Sequence, residues 1–417
     1  MKFPRGVCNQ LMYESAKMPL QGASCEGEMF DCWETMPPVK SGTRQEFSIR
    51  FWILALLLVV CATPSLAAQE QPHSAASWKF AVSGDSRNCG DIVMPAIAQG
   101  VHRDEADFYW HLGDYRAIYT FDEDYLHTHP DSTISDYLAA AWPDFIQHQL
   151  KPFGELPVFL VIGNHEMISP LTREKYVAQF ADWLDQPVLQ RRRLADDPND
   201  HVLKTYYHWI ERGVDFIGLD NATTDEFDAT QMTWLKGVLA NDAKDSSIRT
   251  AVLGMHEALP DSLSAGHSMN ESAQERSSGR TAYDELIAFR HTTKKNVYVL
   301  ASHSHFVMNN IYATACHAGD VLPGWIVGSA GAVRYRLPED HAAATFATTD
   351  VYGYLLATVA PDGSITFEFR EVKETDVPAN VVNEFSPGQV DWCFTQNKSP
   401  SALAGAVCPA GHTPTTH

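Results

Sequence analysis

Seven short apolar runs constrain this chain more than any other feature: Trp78–Ser83, Phe108–Leu112, Pro157–Ile162, Phe216–Leu219, Thr250–Gly254, Val297–Ala301 and Trp325–Val327. Each has strand length and reads as a strand buried on both faces. Between them lie Asp91–Val101, Ile134–Leu150, Thr172–Leu184, Ala229–Asn241 and Thr281–His291, which read as helices. Alternation at this spacing predicts an α/β protein with central sheets. Two hairpins are also expected, Lys204–Ile210 with Val214–Leu219 and Val351–Val359 with Ser364–Val372, each turning at a glycine-containing stretch. From about Thr375 the chain is rich in Pro, Ala, Ser and Thr, which predicts a loosely packed tail over residues 375–417.

The chain has 417 residues, 45% of them hydrophobic and only 20% charged, so most of it folds around a core. Its formal charge of −21 repels polyanions at long range. No basic stretch offsets that repulsion, and general nucleic-acid binding is not expected.

The first 67 residues read separately. Phe51–Ala62 is a 12-residue apolar run, too short to span a bilayer, which takes about 20 residues. Lys40, Arg44 and Arg50 precede it, and the small residues around Ser65 and Ala67 follow, giving the three regions of a signal peptide over 36–67. Cleavage near Ala67 leaves no stable membrane anchor and sends residues 68–374, the expected catalytic domain, to the periplasm or outside the cell. A start at Met36 would give an ordinary basic leader, which leaves residues 1–35 of doubtful translation. Basic and acidic residues balance within 1–67, so the whole negative charge belongs to the mature chain, as does every histidine. Four cysteines also remain there, Cys89, Cys316, Cys393 and Cys408, an even number suited to one or two disulfides whose pairing the sequence leaves open.

Five polar pieces recur at strand ends: Gly84-Asp85-Ser86-Arg87, Gly113-Asp114, Gly163-Asn164-His165-Glu166, Gly254-Met255-His256 and Ser302-His303-Ser304-His305. Strand ends are where an α/β sheet presents its ligand crevice. Asp, Asn and His are the ligand types that hold borderline-hard divalent cations, and a neighbouring glycine lets the backbone turn sharply enough to aim them. Each piece alone is common. Five of them, each at a strand terminus, point to a metal site.

This ordered set resembles the signature of the calcineurin-like metallophosphoesterase superfamily over about residues 78 to 312. The resemblance implies a four-layer α/β/β/α sandwich of two facing mixed sheets flanked by helices. It also implies two divalent or trivalent metal ions, Fe, Mn or Zn, bridged by Asp114. Asp85 and His305 would complete the first site, and Asn164, His256 and His303 the second. A hydroxide held between the ions would attack phosphorus, and His165, which ligates nothing, would serve the leaving oxygen.

The chain departs from that pattern in three places. Arg87 stands where the family often has a metal-ligating histidine. The first site then keeps three protein ligands, with water or Asn88 filling in, and Arg87 can clamp a phosphate oxygen instead. Ala117 occupies the position at which the purple acid phosphatase branch places an iron-binding tyrosine, with Tyr115 and Tyr119 off register. Ser302 replaces a glycine, read as a small-for-small change. The stretch holding Asp122-Glu123-Asp124, His127 and His129 reads either as a helical cap or as a solvated insertion. The loop Leu263–Gly279, with His267, is similarly open, and Arg191-Arg192-Arg193 reads as a solvated loop.

The expected function is therefore an exported hydrolase of phosphomonoesters or small phosphodiesters, with a small phosphorylated substrate and no protein partner legible. Nucleotide pyrophosphatase or nuclease-type specificity, and a non-catalytic metal- or phosphate-binding protein, remain the alternatives. A serine hydrolase is disfavoured because no G-x-S-x-G elbow exists.

Overall fold

A computed structural model describes residues 76–222 and 227–402. The leader, the expected signal peptide and Cys408 lie outside the described residues. In chain order the strands are β1 (Trp78–Ser83), β2 (Tyr109–His111), β3 (Val158–Leu160), β4 (Tyr207–Glu211), β5 (Val214–Gly218), β6 (Thr250–Gly254), β7 (Asn296–Ala301), β8 (Val307–Asn309), β9 (Gly324–Val327), β10 (Arg334–Arg336), β11 (Ala347–Thr348), β12 (Tyr352–Val359), β13 (Ile365–Val372) and β14 (Lys398–Ala402). The helices are α1 (Gly90–Arg103), α2 (Glu123–Thr128), α3 (Ile134–Phe145), α4 (Arg173–Gln179), α5 (Ala181–Leu184), α6 (Pro187–Asp196), α7 (Ala229–Lys244), α8 (Ala273–Thr293) and α9 (Ala379–Thr395). Among the described residues no helix is long and apolar enough to cross a membrane.

Two large sheets face each other. One has the order β13-β12-β1-β2-β3 and the other β11-β8-β9-β7-β6-β5-β4. Their inner faces bury a largely aromatic layer that includes Phe80, Phe108, Trp110, Phe159, Trp209 and Phe216. Phe159 stacks on Trp209 with centroids 3.9 Å apart, and Phe80 on Phe108 at 5.2 Å. Aromatic pairs of this kind add about 0.5–1.5 kcal/mol beyond area burial. The approach is close enough that a Cβ on Gly254 would lie 2.4 Å from the Trp110 ring, so only glycine fits there.

The outer faces carry helices. Ile92, Ile97 and Val101 of α1, Phe145 of α3 and Val381 and Phe385 of α9 pack with Tyr109 and Tyr354 of the first sheet. Leu235 and Leu239 of α7 and Leu286 of α8 pack with Leu253 and Val299 of the second. The result is the four-layer α/β/β/α sandwich that the resemblance implied. Helix starts are encoded locally: Asp228 accepts from the Gln231 N–H at 2.7 Å, and Ser272 with Glu275 forms a capping box that opens α8.

Two expectations are corrected. The tail from Thr375 is not loosely packed over its described part. Residues 379–395 form α9, kinked at Ser386, whose Cys393 is buried and disulfide-bonded to Cys89, and β14 pairs in parallel with β10. Composition misled here because what holds the segment is distant in sequence: buried Arg334 donates to the carbonyls of Cys393, Phe394 and Asn397. The Arg191–Arg193 stretch is helical, within α6, with Arg192 paired to Asp196 and Arg193 to Asp185.

Candidate metal centre

Strands β1, β2 and β3 run parallel, as do β5, β6, β7 and β9, so the loops leaving them emerge along one edge of each sheet. The two edges are tied together. Gly84 N–H donates to the Val327 carbonyl at 3.0 Å, and His256 Nδ1 to the Leu112 carbonyl at 2.8 Å. Asp85 and Asp114 leave the first sheet's strands and His303 the second's, and all three sit in the left-handed backbone region, at φ 58°, 58° and 62°. Non-glycine residues seldom adopt it, and such strain gathers at functional sites. Gly163 sits so close to its neighbour that a Cβ would lie 2.3 Å from Asp114 N.

All eight residues singled out in the sequence meet here. Asp114 Oδ1 lies 3.2 Å from His256 Nε2, which is 2.9 Å from Asn164 Oδ1 and 3.0 Å from His303 Nδ1. On the other side, Asp85 Oδ1 lies 3.1 Å from His305 Nε2. Arg87 reaches His165 Nε2 at 2.7 Å and His305 Nε2 at 3.0 Å, with its Nε 3.8 Å from Asp114 Oδ2.

Asp114, His256 and His303 place ligand atoms within 4.8 Å of one another, and Asn164 Oδ1 joins them through His256. Asp114 Oδ2 is buried with no hydrogen-bond partner among the described residues. The other oxygen of that carboxylate, Oδ1, with two imidazoles and an amide oxygen, is a donor set that fits a divalent metal ion, while Oδ2 faces the other half, 3.5 Å from His165 Nε2 and 3.8 Å from Arg87 Nε. Electrostatics agree. Burial alone would lower His256, but the Asp114 carboxylate holds it up to about 10, and the negative charge that draws a proton to that ring draws a metal ion as well. Burial also works against the charge on Asp114, yet His165 and His256 hold its carboxyl well below the usual range.

The opposite half also presents a buried carboxylate oxygen without a hydrogen-bond partner among the described residues, Asp85 Oδ1, but a cation already stands in it. Arg87 is buried between Asp114, His165 and His305, where an ion bound by Asp85, Asp114 and His305 would have to lie. Asn88 cannot complete that half. Its side chain donates to Glu123 at 2.8 Å and accepts from the Val333 N–H at 3.2 Å. Burial pushes the His165 imidazole down to about 4, with Asp114 opposing.

Several supporting residues were invisible in the sequence. Glu166 is fully buried and accepts from the N–H groups of Gly163, Asp114 and Tyr115, which fixes two of the ligand loops to each other. Ser302 is more than a small residue, since its hydroxyl donates to Asp85 Oδ2, which also accepts from the His303 N–H at 2.7 Å. His267 brings its ring to 4.7 Å from that of His303. Tyr115 is buried, with its hydroxyl on the Val161 carbonyl, whereas exposed Tyr119 lies 3.3 Å from Arg87. Asp122 and Asp124 are structural: Asp122 accepts from the Asn88 N–H at 2.6 Å and Asp124 from the Asp91 N–H at 2.8 Å, while His127 and His129 are exposed.

A second cluster, Asp91, Asp144 and His148, also brings ligand atoms together. Buried Arg116 already supplies its cation, 2.6 Å from Asp91 and in contact with Asp144.

The model of the calcineurin-like phosphoesterase family matches residues 79–306. Among solved structures, the chain is similar to purple acid phosphatase PPD1 from yellow lupin (Lupinus luteus) seeds, with 16% identity, a TM-score of 0.48, and coverage of 73% of this chain and 53% of that one. It is also similar to PhoD, with 14% identity, a TM-score of 0.42, and coverage of 76% and 78%. GAP50, the anchor in the inner membrane complex of Plasmodium, shows 12% identity, a TM-score of 0.43, and coverage of 80% and 100%. The chain thus spans about half the length of the lupin phosphatase. No curated protein sequence matches it.

Proposed function

We infer the reaction from one premise, that this chain belongs to the calcineurin-like phosphoesterase family: it hydrolyses phosphomonoesters or small phosphodiesters with the help of bound metal. The observation that carries this reading is the convergence of Asp114, Asn164, His256 and His303 beside a histidine, His165, that is not one of the four and keeps its ring Nε2 3.5 Å from Asp114 Oδ2. A metal ion held there lowers the pKa of a water and neutralises charge developing on phosphorus. The protein's own groups do the rest. Arg87 offers a buried, permanently charged fork for a phosphoryl oxygen. The His165 Nδ1–H is held by the Ala117 carbonyl at 2.6 Å, which turns the Nε2 lone pair toward the reacting groups, where it can take the proton released by the attacking water and deliver it to the leaving oxygen.

The same reading includes export, with cleavage near Ala67. The Cys89–Cys393 bond and a disulfide-bonded Cys316 support an oxidising compartment. The net charge of −21 supports small substrates over long nucleic acids.

The test is a substrate panel on metal-reconstituted protein: nitrophenyl and alkyl monoesters, a bis-ester and a nucleoside triphosphate. Turnover of the first three that disappears in His256→Ala together with its metal is the expected result. Metal binding without turnover of any substrate would overturn the enzymatic reading and leave a binding protein. Mass spectrometry of exported protein should find a mature start near Ala68.

A further inference from the structure

Arg87 sits where the second ion of a two-metal centre would have to sit, and its contacts explain why. His305 presents Nδ1 to the Val333 carbonyl at 2.6 Å, and His165 presents Nδ1 to the Ala117 carbonyl at 2.6 Å. A carbonyl only accepts, so both rings carry a proton on Nδ1, and a guanidinium only donates, so the Nε2 that faces it is a lone pair. Both lone pairs receive N–H groups of the same guanidinium, at 3.0 and 2.7 Å. An ion coordinated by Asp85, Asp114 and His305 would need the His305 lone pair that Arg87 already occupies. The ligating histidine often found at this position in the family is Arg87 itself in this chain.

We propose that Arg87 replaces one of the two metal ions, so that the protein holds a single ion, on Asp114, Asn164, His256 and His303, with the guanidinium as the fixed second cation. The proposal rests on the metal-dependent reading above and specifies how its centre is built. Charge balance favours it. One divalent ion and one guanidinium against Asp85 and Asp114 leave a single positive charge, which a hydroxide or a phosphoryl oxygen cancels. Two divalent ions plus a buried arginine within a few ångströms would leave several positive charges in a medium that screens them poorly. The chemistry differs as well. A guanidinium has no coordination position in which to bind and acidify a water, but it donates hydrogen bonds in a fixed plane. Its buried Nε–H, 3.8 Å from Asp114 Oδ2, has no hydrogen-bond partner among the described residues and is available to a phosphoryl oxygen.

The measurement is metal stoichiometry by elemental analysis after reconstitution with Mn²⁺ or Zn²⁺, with electron paramagnetic resonance of the Mn²⁺ form. Wild type should hold one ion per chain, with the spectrum of an isolated Mn²⁺. Arg87→His should hold two, with a spin-coupled spectrum. Asp85→Asn should still hold one, because the Asp85 oxygen that faces a cation, Oδ1, lies in the guanidinium half and the asparagine oxygen can keep the bond from the His303 N–H, whereas His303→Ala should leave fewer than one chain in ten loaded. Two ions in wild type, none in wild type, metal loss in Asp85→Asn, or an Arg87→His that stays at one ion would each overturn the proposal. Turnover measured on the same samples keeps the two ideas apart. One ion without turnover sinks the phosphoesterase reading alone, and two ions with turnover sink only the role given to Arg87.

Discussion

His165 is the residue whose work is chemical and not coordinative, and that makes it the sharpest single probe of the site. Its Nδ1–H is spent on a carbonyl, so it can serve a leaving oxygen only through Nε2, the lone pair that meets Arg87 at 2.7 Å, after that nitrogen has taken up the proton released by the attacking water. His165→Asn should keep metal content and fold yet lower turnover by about 10²–10⁴, the usual contribution of a general acid or base. The loss should be largest for alkyl phosphates and smaller for nitrophenyl esters, which leave without help; steady-state kinetics on both substrates checks this. Equal turnover by wild type and variant would remove His165 from the chemistry. At this scale the sequence was informative about identity and silent about contact. Asp85, Asp114, Asn164, His256, His303 and His305 could be named because strand ends and ligand types are local features. That Arg87 points its guanidinium at two imidazoles depends on residues 78 and 218 positions away, and no spacing rule reports that. The roles of Ser302 and Glu166 were hidden for the same reason.

At the scale of elements, local pattern placed β1 and β6 to the residue, since both are continuous apolar runs bounded by polar turns. It started α8 eight positions late, because Ser272 and Glu275 cap a polar first turn that carries no apolar period. It missed α9 entirely as a packed element. That miss has a measurable consequence. Removing everything after residue 374 would be harmless to a loose tail. Here it removes Val381, Phe385 and Cys393 from the core and leaves Arg334 without three carbonyl partners. Breaking the Cys89–Cys393 bond alone, by Cys393→Ser, should cost about 2–4 kcal/mol, the usual worth of a disulfide. Truncation should cost more and give insoluble protein. Denaturant melts of the single variant, and solubility of the truncated chain, decide the matter; a truncated chain as stable as full length would restore the loose-tail reading.

For the whole molecule, stability should depend on pH through a buried network at the edge of the second sheet. His208 lies between Asp215, at 2.7 Å, and Asp196, at 2.6 Å. Burial alone would lower its pKa, but the two carboxylates raise it to about 9. Because the folded value lies above the unfolded one near 6.5, this stabilisation is complete below about pH 6.5 and is lost as pH rises through about 9. Nearby Asp242, pushed up to about 8 by burial and then by Asp215, works in the same direction, since it must ionise against its surroundings as pH rises. Thermal melts should therefore show the gap between wild type and His208→Asn wide at pH 6 and narrow by pH 9.5. A gap that grows with pH would show that the ring is neutral in the folded protein.

The left-handed backbone at Asp85, Asp114 and His303 also carries an evolutionary consequence. Holding a branched-off side chain in that conformation costs of order 1–3 kcal/mol per residue, a cost that glycine does not incur. A lineage released from the need to bind metal would therefore be expected to drift toward glycine or asparagine at these positions and gain robustness as it lost chemistry. His303→Gly offers a laboratory version of that drift. In chelator the variant should melt at or above the wild-type temperature, and with saturating metal it should melt below it, because only the parent draws stabilisation from the ion. The reversal of order between the two conditions is the quantity to measure, and it would mark this sheet edge as a place where selection has kept function at the expense of durability.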